Sequence, residues 1–268
     1  MNQPIETTAT RDAEERAPRP FVHVDGLSLE YRTGTFGSGR VEALHDLTFE
    51  IPAGSLWALV GANGSGKSSL IRCALGFRTP TKGSVRLFGE APTIKNLRAR
   101  VGVVLDGRLP LERLTGREYL TLTLAMAGFD RHAARERADE ILARLGLADA
   151  SHRAHGTWST GMERRLAFAE AIARQVPLLV LDEPGSGLDP LALQTLREEL
   201  EAHRARGGAA LVATHVLDGL GADLFDRVLV LHRGRAVQIG TPDVVLRDPE
   251  GRVKQLRLAE ALARYEDR

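Results

Sequence analysis

A glycine-rich stretch carries the residue types that bind phosphate. In LVGANGSGKSSLI, residues 59–71, the spacing is G-x-x-x-x-G-K-[ST] between an apolar run and an apolar-periodic run. Without Cβ atoms the backbone can curl so that several N–H groups point at one anion, aided by the positive end of the following helix. Lys67 would reach the β- and γ-phosphates, and the Ser68 hydroxyl would coordinate Mg²⁺. The stretch predicts a triphosphate site, and a plain glycine-rich turn is the alternative. Its candidate residues are Gly61, Asn63, Gly64, Ser65, Gly66, Lys67, Ser68 and Ser69, the last a spare hydroxyl with no assigned task.

Two carboxylates and a histidine follow later apolar runs. In LLVLDEP, Asp182 and Glu183 stand just past a predicted buried strand, where open α/β sheets bind their ligands. We expect Asp182 to hold magnesium, directly or through water, and Glu183 to polarise the attacking water as general base. His215 ends the next apolar run, ALVATH, so we expect it beside the γ-phosphate in a sensing or transition-state role. Considered one motif at a time, two alternatives stay open: Asp182 and Glu183 could belong to a turn that starts a helix, and His215 could be structural.

The elements that must position these residues alternate between apolar strands and helices. Such alternation predicts a mostly parallel α/β core. Amphipathic helical patterns are expected to fill residues 109–147. The predicted strands are FVHVDGLSLEY, LHDLTFEIPAG, SLWALV, KGSVRLFG, RVGVVLD, PLLVLD, AALVATH and the antiparallel pair in RVLVLHRGRAVQIG. The predicted helices are SSLIRCALG, REYLTLTLAMAG, RHAARERADEILARLGL, ERRLAFAEAIARQ, PLALQTLREELEAHRARG and RVKQLRLAEALARY. The first two strands would be joined by a flexible connection, RTGTFGSGRVEA, and KGSVRLFG is predicted as a further hairpin strand.

Charge and composition argue against several classes of protein. The formal net charge of the 268 residues is +1, which lacks the basic footprint of a nucleic-acid binder, so we expect no direct nucleic-acid binding. No run approaches the roughly 18 apolar residues of a membrane span, and the first 20 residues are too charged for a secretory signal. We therefore expect a cytoplasmic protein. The single cysteine, Cys73, is predicted to fill the core.

The motifs together resemble the ATP-binding cassette (ABC) ATPases, the nucleotide-binding subunits of ABC transporters, over about residues 21–240. The specific mark is WSTGMERRLAFAEAIA, which is similar to the family's signature stretch, usually L-S-G-G-Q before a helix. Ser159 and Gly161 match that stretch, whereas Trp158, Thr160 and Met162 depart from it. Physically, a hydroxyl and a bare backbone N–H at a helix start form a second anion site. A simple N-cap explains the same residues, since serine caps helices.

The resemblance implies a fold and a domain layout. It implies a P-loop NTPase RecA-like α/β core with an antiparallel β subdomain and an inserted α-helical subdomain. We predict a disordered tail over residues 1–20, the ATPase domain over 21–245 with the helical subdomain at about 107–165, and a C-terminal helix over 246–268.

The resemblance also implies that ATP and Mg²⁺ are bound and that two cassettes face head to tail. Each ATP would lie between the phosphate loop of one cassette and the signature of the other, in a homodimer or with a related partner. GSGLDP resembles the D-loop, with Asp189 crossing the interface. Tyr31 matches the aromatic residue that stacks on adenine, with an exposed strand tyrosine as the alternative. Asp106 stands where the family commonly has a glutamine that contacts magnesium or water, with a plain strand-end turn as the alternative.

The function implied is ATP hydrolysis that drives separate transmembrane permease subunits, with the chain peripheral on the inner face of the cell membrane. Export is the implied direction, because the S-x-G-M form of the signature and an acidic residue at position 106 resemble exporter-type cassettes. Three alternatives stay open: a soluble ABC protein of DNA repair or translation, a regulatory cassette that binds ATP with little turnover, and a small-molecule kinase. The kinase would leave STGM and LDEPGSGLD unexplained.

Overall fold

Nine strands and seven α-helices lie in the part of the chain that the computed structural model describes, residues 19–33, 39–105, 113–214, 217 and 219–246. The strands are β1 (Val22–Thr33), β2 (Gly39–Ile51), β3 (Leu56–Val60), β4 (Lys82–Leu87), β5 (Val101–Val104), β6 (Leu178–Asp182), β7 (Ala209–Thr214), β8 (Arg227–His232) and β9 (Arg235–Gly240). The helices are α1 (Lys67–Ala74), α2 (Ile94–Arg100), α3 (Gly116–Met126), α4 (Arg131–Arg144), α5 (Thr160–Ala173), α6 (Pro190–Ala205) and α7 (Pro242–Leu246).

A six-stranded sheet forms the centre of the fold, in the order β5-β6-β7-β3-β8-β9. The pairs from β5 to β8 are parallel, and β9 is antiparallel to β8. Every residue of β3, β6 and β7 is buried, as expected of parallel strands whose two faces are both covered. The predicted parallel α/β core and the closing antiparallel pair are confirmed.

A second sheet of three antiparallel strands has the order β2-β1-β4. β1 pairs with β2 from Val22↔Ile51 to Thr33↔Gly39, so the segment predicted as a flexible connection is in part strand, because β2 already begins at Gly39. β4 pairs with β1, with Val22 opposite Leu87. The prediction of a further hairpin strand is therefore wrong, since the partner of β4 is distant in sequence.

Helices α3, α4 and α5 follow the predicted periodicity and begin at capping residues. Thr115 caps α3 in a capping box with Glu118, and Asp130 caps α4 by accepting hydrogen bonds from two backbone N–H groups. α3, α4 and α5 pack on one another around shared buried residues such as Leu120 and Ile141. The boundaries of the predicted helical subdomain remain a prediction.

The core has two layers, one on each face of the six-stranded sheet. Alternate residues of β3 enter different layers: Leu56, Ala58 and Val60 lie in one, and Trp57 and Leu59 in the other. The first layer includes the buried residues of α3, α4 and α5, and the second packs α1 and the antiparallel sheet. Cys73 lies in the second layer, as predicted, and burial raises the pKa of its thiol to about 11.

Several predictions fall on other residues of the chain. Outside the described residues lie 1–18 of the tail predicted over 1–20, 247–268 of the C-terminal helix predicted over 246–268, Asp106 and His215. Among the helices that are described, none has the length and apolar character needed to cross a lipid bilayer.

Candidate functional site

The phosphate loop joins β3 to α1 in a conformation that requires glycine. Gly66 has φ 111° and Gly64 has φ 81°, a region that L side chains rarely adopt. A Cβ at Gly66 would lie 2.8 Å from the carbonyl oxygen of Ala43, and one at Gly61 would collide with the Leu231 carbonyl oxygen. The bare backbone predicted from the sequence is thus needed for the loop to fit between its neighbours.

Helix α1 begins directly at this loop and carries no side-chain cap. Its N-cap residue is Gly66, and its first turn holds no acidic residue. The first N–H groups of an α-helix have no intrahelical partner and present a partial positive charge. An anion can take the place that a capping side chain has in other helices.

Lys67, the first residue of α1, lies folded against the loop. Its Nζ donates hydrogen bonds to the carbonyl oxygens of Gly61 at 2.7 Å and Ala62 at 3.3 Å. Burial lowers the pKa of the Lys67 ammonium, an effect opposed by the nearby carboxylates of Glu183 and Asp182. The structure therefore places a buried ammonium group, that of Lys67, and the two carboxylates around one cavity.

That cavity has a volume of about 350 Å³ and contains most of the predicted triphosphate site. It is lined by Ala43, Ala62, Asn63, Gly64, Ser65, Gly66, Lys67, Ser68, Ser69, Arg164, Asp182, Glu183 and Ser186. The phosphate loop, β2, α5 and the end of β6 thus contribute to a single site.

Two oxygen groups converge inside the cavity. Ser68 Oγ donates a hydrogen bond to Asp182 Oδ2 at 3.0 Å, although the residues are 114 apart in sequence. A hydroxyl and a carboxylate are hard oxygen donors of the kind that Mg²⁺ prefers, and Mg²⁺ keeps several waters and needs few protein ligands. These residues fit a magnesium ion. No cluster of three or more His, Cys, Asp or Glu residues that could hold a metal occurs within the described ranges.

Glu183 stands directly after β6 in a strained backbone conformation. Its φ is 50°, and its N–H donates to the carbonyl oxygen of Ala213 in β7 at 2.8 Å. A non-glycine residue in this region costs on the order of 1 kcal/mol or more and persists where the surroundings impose it. Here β7, the strand that His215 follows in sequence, lies next to β6 as predicted.

The signature residues lie outside the cavity of their own chain. Ser159 caps α5, and its Oγ accepts a hydrogen bond from the Met162 N–H at 3.3 Å. Neither Ser159 nor Gly161 is among the cavity residues. Trp158, which replaces the usual leucine, is buried and packs against Gly116 at the start of α3. The chain therefore does not bring its two predicted anion sites together.

Asp189 and Tyr31 also lie outside the cavity lining. Asp189 caps α6, with Oδ1 accepting from the Ala192 N–H at 2.9 Å. The Tyr31 hydroxyl is 3.1 Å from Ser69 Oγ, within hydrogen-bond distance, and the Arg78 guanidinium carbon is 5.7 Å from the centre of the tyrosine ring. Ser69, which has no task in the sequence interpretation, is thus connected to the tyrosine predicted to stack on adenine.

Four cavity residues were not among the predicted site residues: Ala43, Ala62, Arg164 and Ser186. Ser186 stands three positions after Glu183 and could have been found as part of the same loop. Arg164 lies within the signature-like stretch, in α5, but nothing in the sequence alone indicates that this helix reaches the phosphate loop of its own chain. Only the packing of the elements shows it.

Several proteins of similar sequence are named as ATP-binding proteins, which agrees with a triphosphate site. Residues 44–186 match the family described as ABC transporter. The Daunorubicin/doxorubicin resistance ATP-binding protein DrrA of Streptomyces peucetius is 35% identical over 93% of this chain and 74% of its own length. The Nod factor export ATP-binding protein I of Rhizobium johnstonii is 36% identical over 86% and 72%. The Methionine import ATP-binding protein MetN of Bordetella pertussis is 30% identical over 91% and 68%.

Solved structures share the fold. A structure described as the ATP binding subunit of an ABC transporter has a TM-score of 0.78 and 27% identity, covering 92% of this chain and 99% of that one. The ATP-binding cassette MJ0796, solved as a dimer in a post-hydrolysis state with ADP and Pi, has a TM-score of 0.72 and 23% identity, covering 82% and 98%. At this identity the second likeness is one of fold.

Proposed function

The chain belongs to the ABC transporter family of ATP-binding subunits, and we propose that it hydrolyses ATP in the cavity around Lys67 to power export through separate membrane subunits. ATP binding and hydrolysis that powers transport is the activity of this family. The observation that carries the proposal for these residues is the convergence of the phosphate loop, the Ser68–Asp182 pair and Glu183 on one cavity.

The chemistry we propose is phosphoryl transfer to water, in which positioning and charge neutralisation supply most of the catalysis. The N–H groups at the start of α1 and the Lys67 ammonium hold the triphosphate. Glu183 accepts a proton from the attacking water as general base. Ser68 and Asp182 would hold Mg²⁺, which neutralises charge on the phosphate oxygens when bound. Asp106 as a further ligand and His215 as a γ-phosphate sensor remain predictions.

We propose that the catalytic unit is a pair of cassettes. Ser159 and Gly161 lie outside the cavity of their own chain, which supports a role at the nucleotide of a facing copy. The N-terminus of α5 would then supply a hydroxyl and a backbone N–H to the partner's phosphates, with Asp189 crossing the interface.

A substitution at Glu183 tests the assigned base. In Glu183→Gln the new side chain has nearly the same shape and can follow the same backbone, but it has no carboxylate to accept a proton. It should leave the affinity for Mg-ATP within about twofold and lower turnover by about 10² to 10⁴-fold, the usual contribution of a general base. Phosphate release and equilibrium ATP binding are measured on the same preparation. Turnover equal to that of the parent chain would exclude Glu183 as the base.

Export as the direction draws support from the names of two relatives, a resistance protein and an export protein, although a third serves import. We propose a membrane permease partner and a location on the inner face of the cell membrane. The rival of a non-transport ABC protein is not favoured, because these relatives are named for resistance, export or import. Affinity purification of the chain from membranes of its own cells should recover a polytopic protein without a cassette. Recovery of ribosomes or DNA in its place would contradict the transport role.

A further inference from the structure

Arg164 lies in the wall of the nucleotide cavity, although the signature-like stretch that contains it gave it no role. It stands on α5 and is half-buried, and it lines the cavity with Asp182, Glu183 and Ser186. Residues three apart on a helix share a face, so Arg164 lies on the same face of α5 as Gly161. A Cβ at Gly161 would lie 3.1 Å from the carbonyl oxygen of Gly187. This face of α5 therefore lies beside Gly187, in the loop that follows Glu183.

The charges in the cavity suggest what Arg164 does there. The lining holds two cations, Lys67 and Arg164, and two carboxylates, Asp182 and Glu183. Lys67 is bonded to the carbonyl oxygens of the phosphate loop, and Asp182 accepts from Ser68. Arg164 contributes to this lining from α5, the helix whose Gly161 lies beside Gly187 in the loop that follows Glu183.

A guanidinium is suited to hold a carboxylate in one orientation. Its planar set of donors can bond both carboxylate oxygens, which fixes direction as well as distance. In a half-buried site the effective dielectric constant is lower than in water, so such a contact is stronger than on an open surface.

We propose that Arg164 is a positioning residue for hydrolysis, one that holds the Glu183 carboxylate in the orientation needed to polarise the attacking water. The inference rests on the proposed role of Glu183 as base. Arg164 and the Ser159 turn belong to one helix, α5. The orientation of the Glu183 carboxylate in each chain is therefore linked to the Ser159 turn that the same chain presents to its partner. Engagement of the signature by the partner's nucleotide therefore affects the base at the chain's own nucleotide.

The test compares Arg164→Met and Arg164→Lys in two backgrounds, the parent chain and Glu183→Gln. In the parent chain Arg164→Met should lower kcat by about tenfold to a hundredfold, a part of what a general base contributes. KM for ATP should stay within about twofold, because the phosphate loop binds the triphosphate. Arg164→Lys should recover part of kcat. In the Glu183→Gln background Arg164→Met should change the residual single-turnover rate by less than about twofold, since no base remains to be positioned.

Arg165→Met is the matched control. Arg165 is the next arginine on α5, is also half-buried, donates from Nη1 to the carbonyl oxygen of Leu145 and does not line the cavity. Any effect of this substitution should be equal in the two backgrounds. Thermal melting of each variant reports folding, and if Arg164→Met does not fold, Arg164→Lys and Arg164→Gln carry the same comparison.

Two outcomes would overturn the inference alone. An equal loss of kcat from Arg164→Met in both backgrounds would show a structural role, and a raised KM with unchanged kcat would show a contact with the nucleotide itself. If Glu183→Gln retained the turnover of the parent chain, the assigned base and the inference on Arg164 would both fall. The two failures are therefore distinguishable.

Discussion

Removal of the Lys67 ammonium should weaken the binding of triphosphate by a predictable amount. Lys67 is only 7% exposed, and its Nζ already lies in the loop, bonded to the carbonyl oxygens of Gly61 and Ala62. A hydrogen bond to a charged group contributes about 1.5 to 3 kcal/mol, which is about tenfold to a hundredfold in Kd. In Lys67→Ala, Asp182 and Glu183 would also face the triphosphate without this cation. We therefore expect Kd for Mg-ATP to rise by at least about tenfold.

Titration calorimetry with Mg-ATP and with adenosine separates an effect on binding of the phosphates from an effect on binding of the adenosine part. Lys67→Ala should weaken ATP binding and leave adenosine binding within about twofold, because the lysine is assigned to the phosphates alone. Lys82→Ala, which removes an exposed lysine at the start of β4, is the control and should bind ATP like the parent chain. An unchanged Kd for Mg-ATP in a folded Lys67→Ala chain would refute the assignment of Lys67 to the phosphates.

Three further substitutions test other parts of the site. Gly66→Ala places a Cβ 2.8 Å from the Ala43 carbonyl oxygen at φ 111°, so it should lower the melting temperature and abolish ATP binding, and binding like the parent's would contradict this account of the loop. Tyr31→Leu should raise Kd for ATP by about fivefold to a hundredfold, since stacking on a base contributes about 1 to 3 kcal/mol, while Tyr31→Phe, which loses only the contact with Ser69, should change it by less than about threefold. Equal effects of the two would argue against a stacking role. Ser159→Ala removes the N-cap of α5, should cost about 0.5 to 2 kcal/mol of stability by thermal unfolding, and should lower ATPase activity with unchanged binding of ATP to the single chain. Full activity would exclude the signature role.

The buried strands could be predicted because their sequences admit few alternatives. LWALV, LLVLD and AALVAT are short apolar runs in which every residue is buried, and such runs are typical of strands covered on both faces. The start of α3 has a capping box that the sequence displays as T-x-x-E at Thr115. Local chemistry was sufficient for these elements.

Other elements lacked a local signal. α2 has seven residues and none of them is buried, so the segment is too short to display a helical period. The first residues of β2 are mostly exposed and are held by pairing with β1, a contact that depends on the fold of the whole sheet. α7 has only five residues, too few to display a period.

The residues of the site also divide into those with a local sequence signal and those without one. Gly61, Gly66, Lys67 and Ser68 could be predicted because their chemistry and spacing lie in one stretch of sequence. The bond between Ser68 and Asp182 spans 114 residues. The place of Arg164 depends on how α5 packs beside the loop of Glu183. Contacts of this kind come from tertiary packing and carry no local pattern.

Closure of the site by a second copy is the central claim, and sedimentation of the Glu183→Gln chain tests it most directly. Without nucleotide the chain should sediment as a single copy of 29.2 kDa, and with Mg-ATP it should sediment at about twice that mass, since a cyclic pair of identical chains completes both sites. The same substitution combined with Lys67→Ala should remain a single copy. A Glu183→Gln chain that binds Mg-ATP and still sediments as one copy would contradict the account.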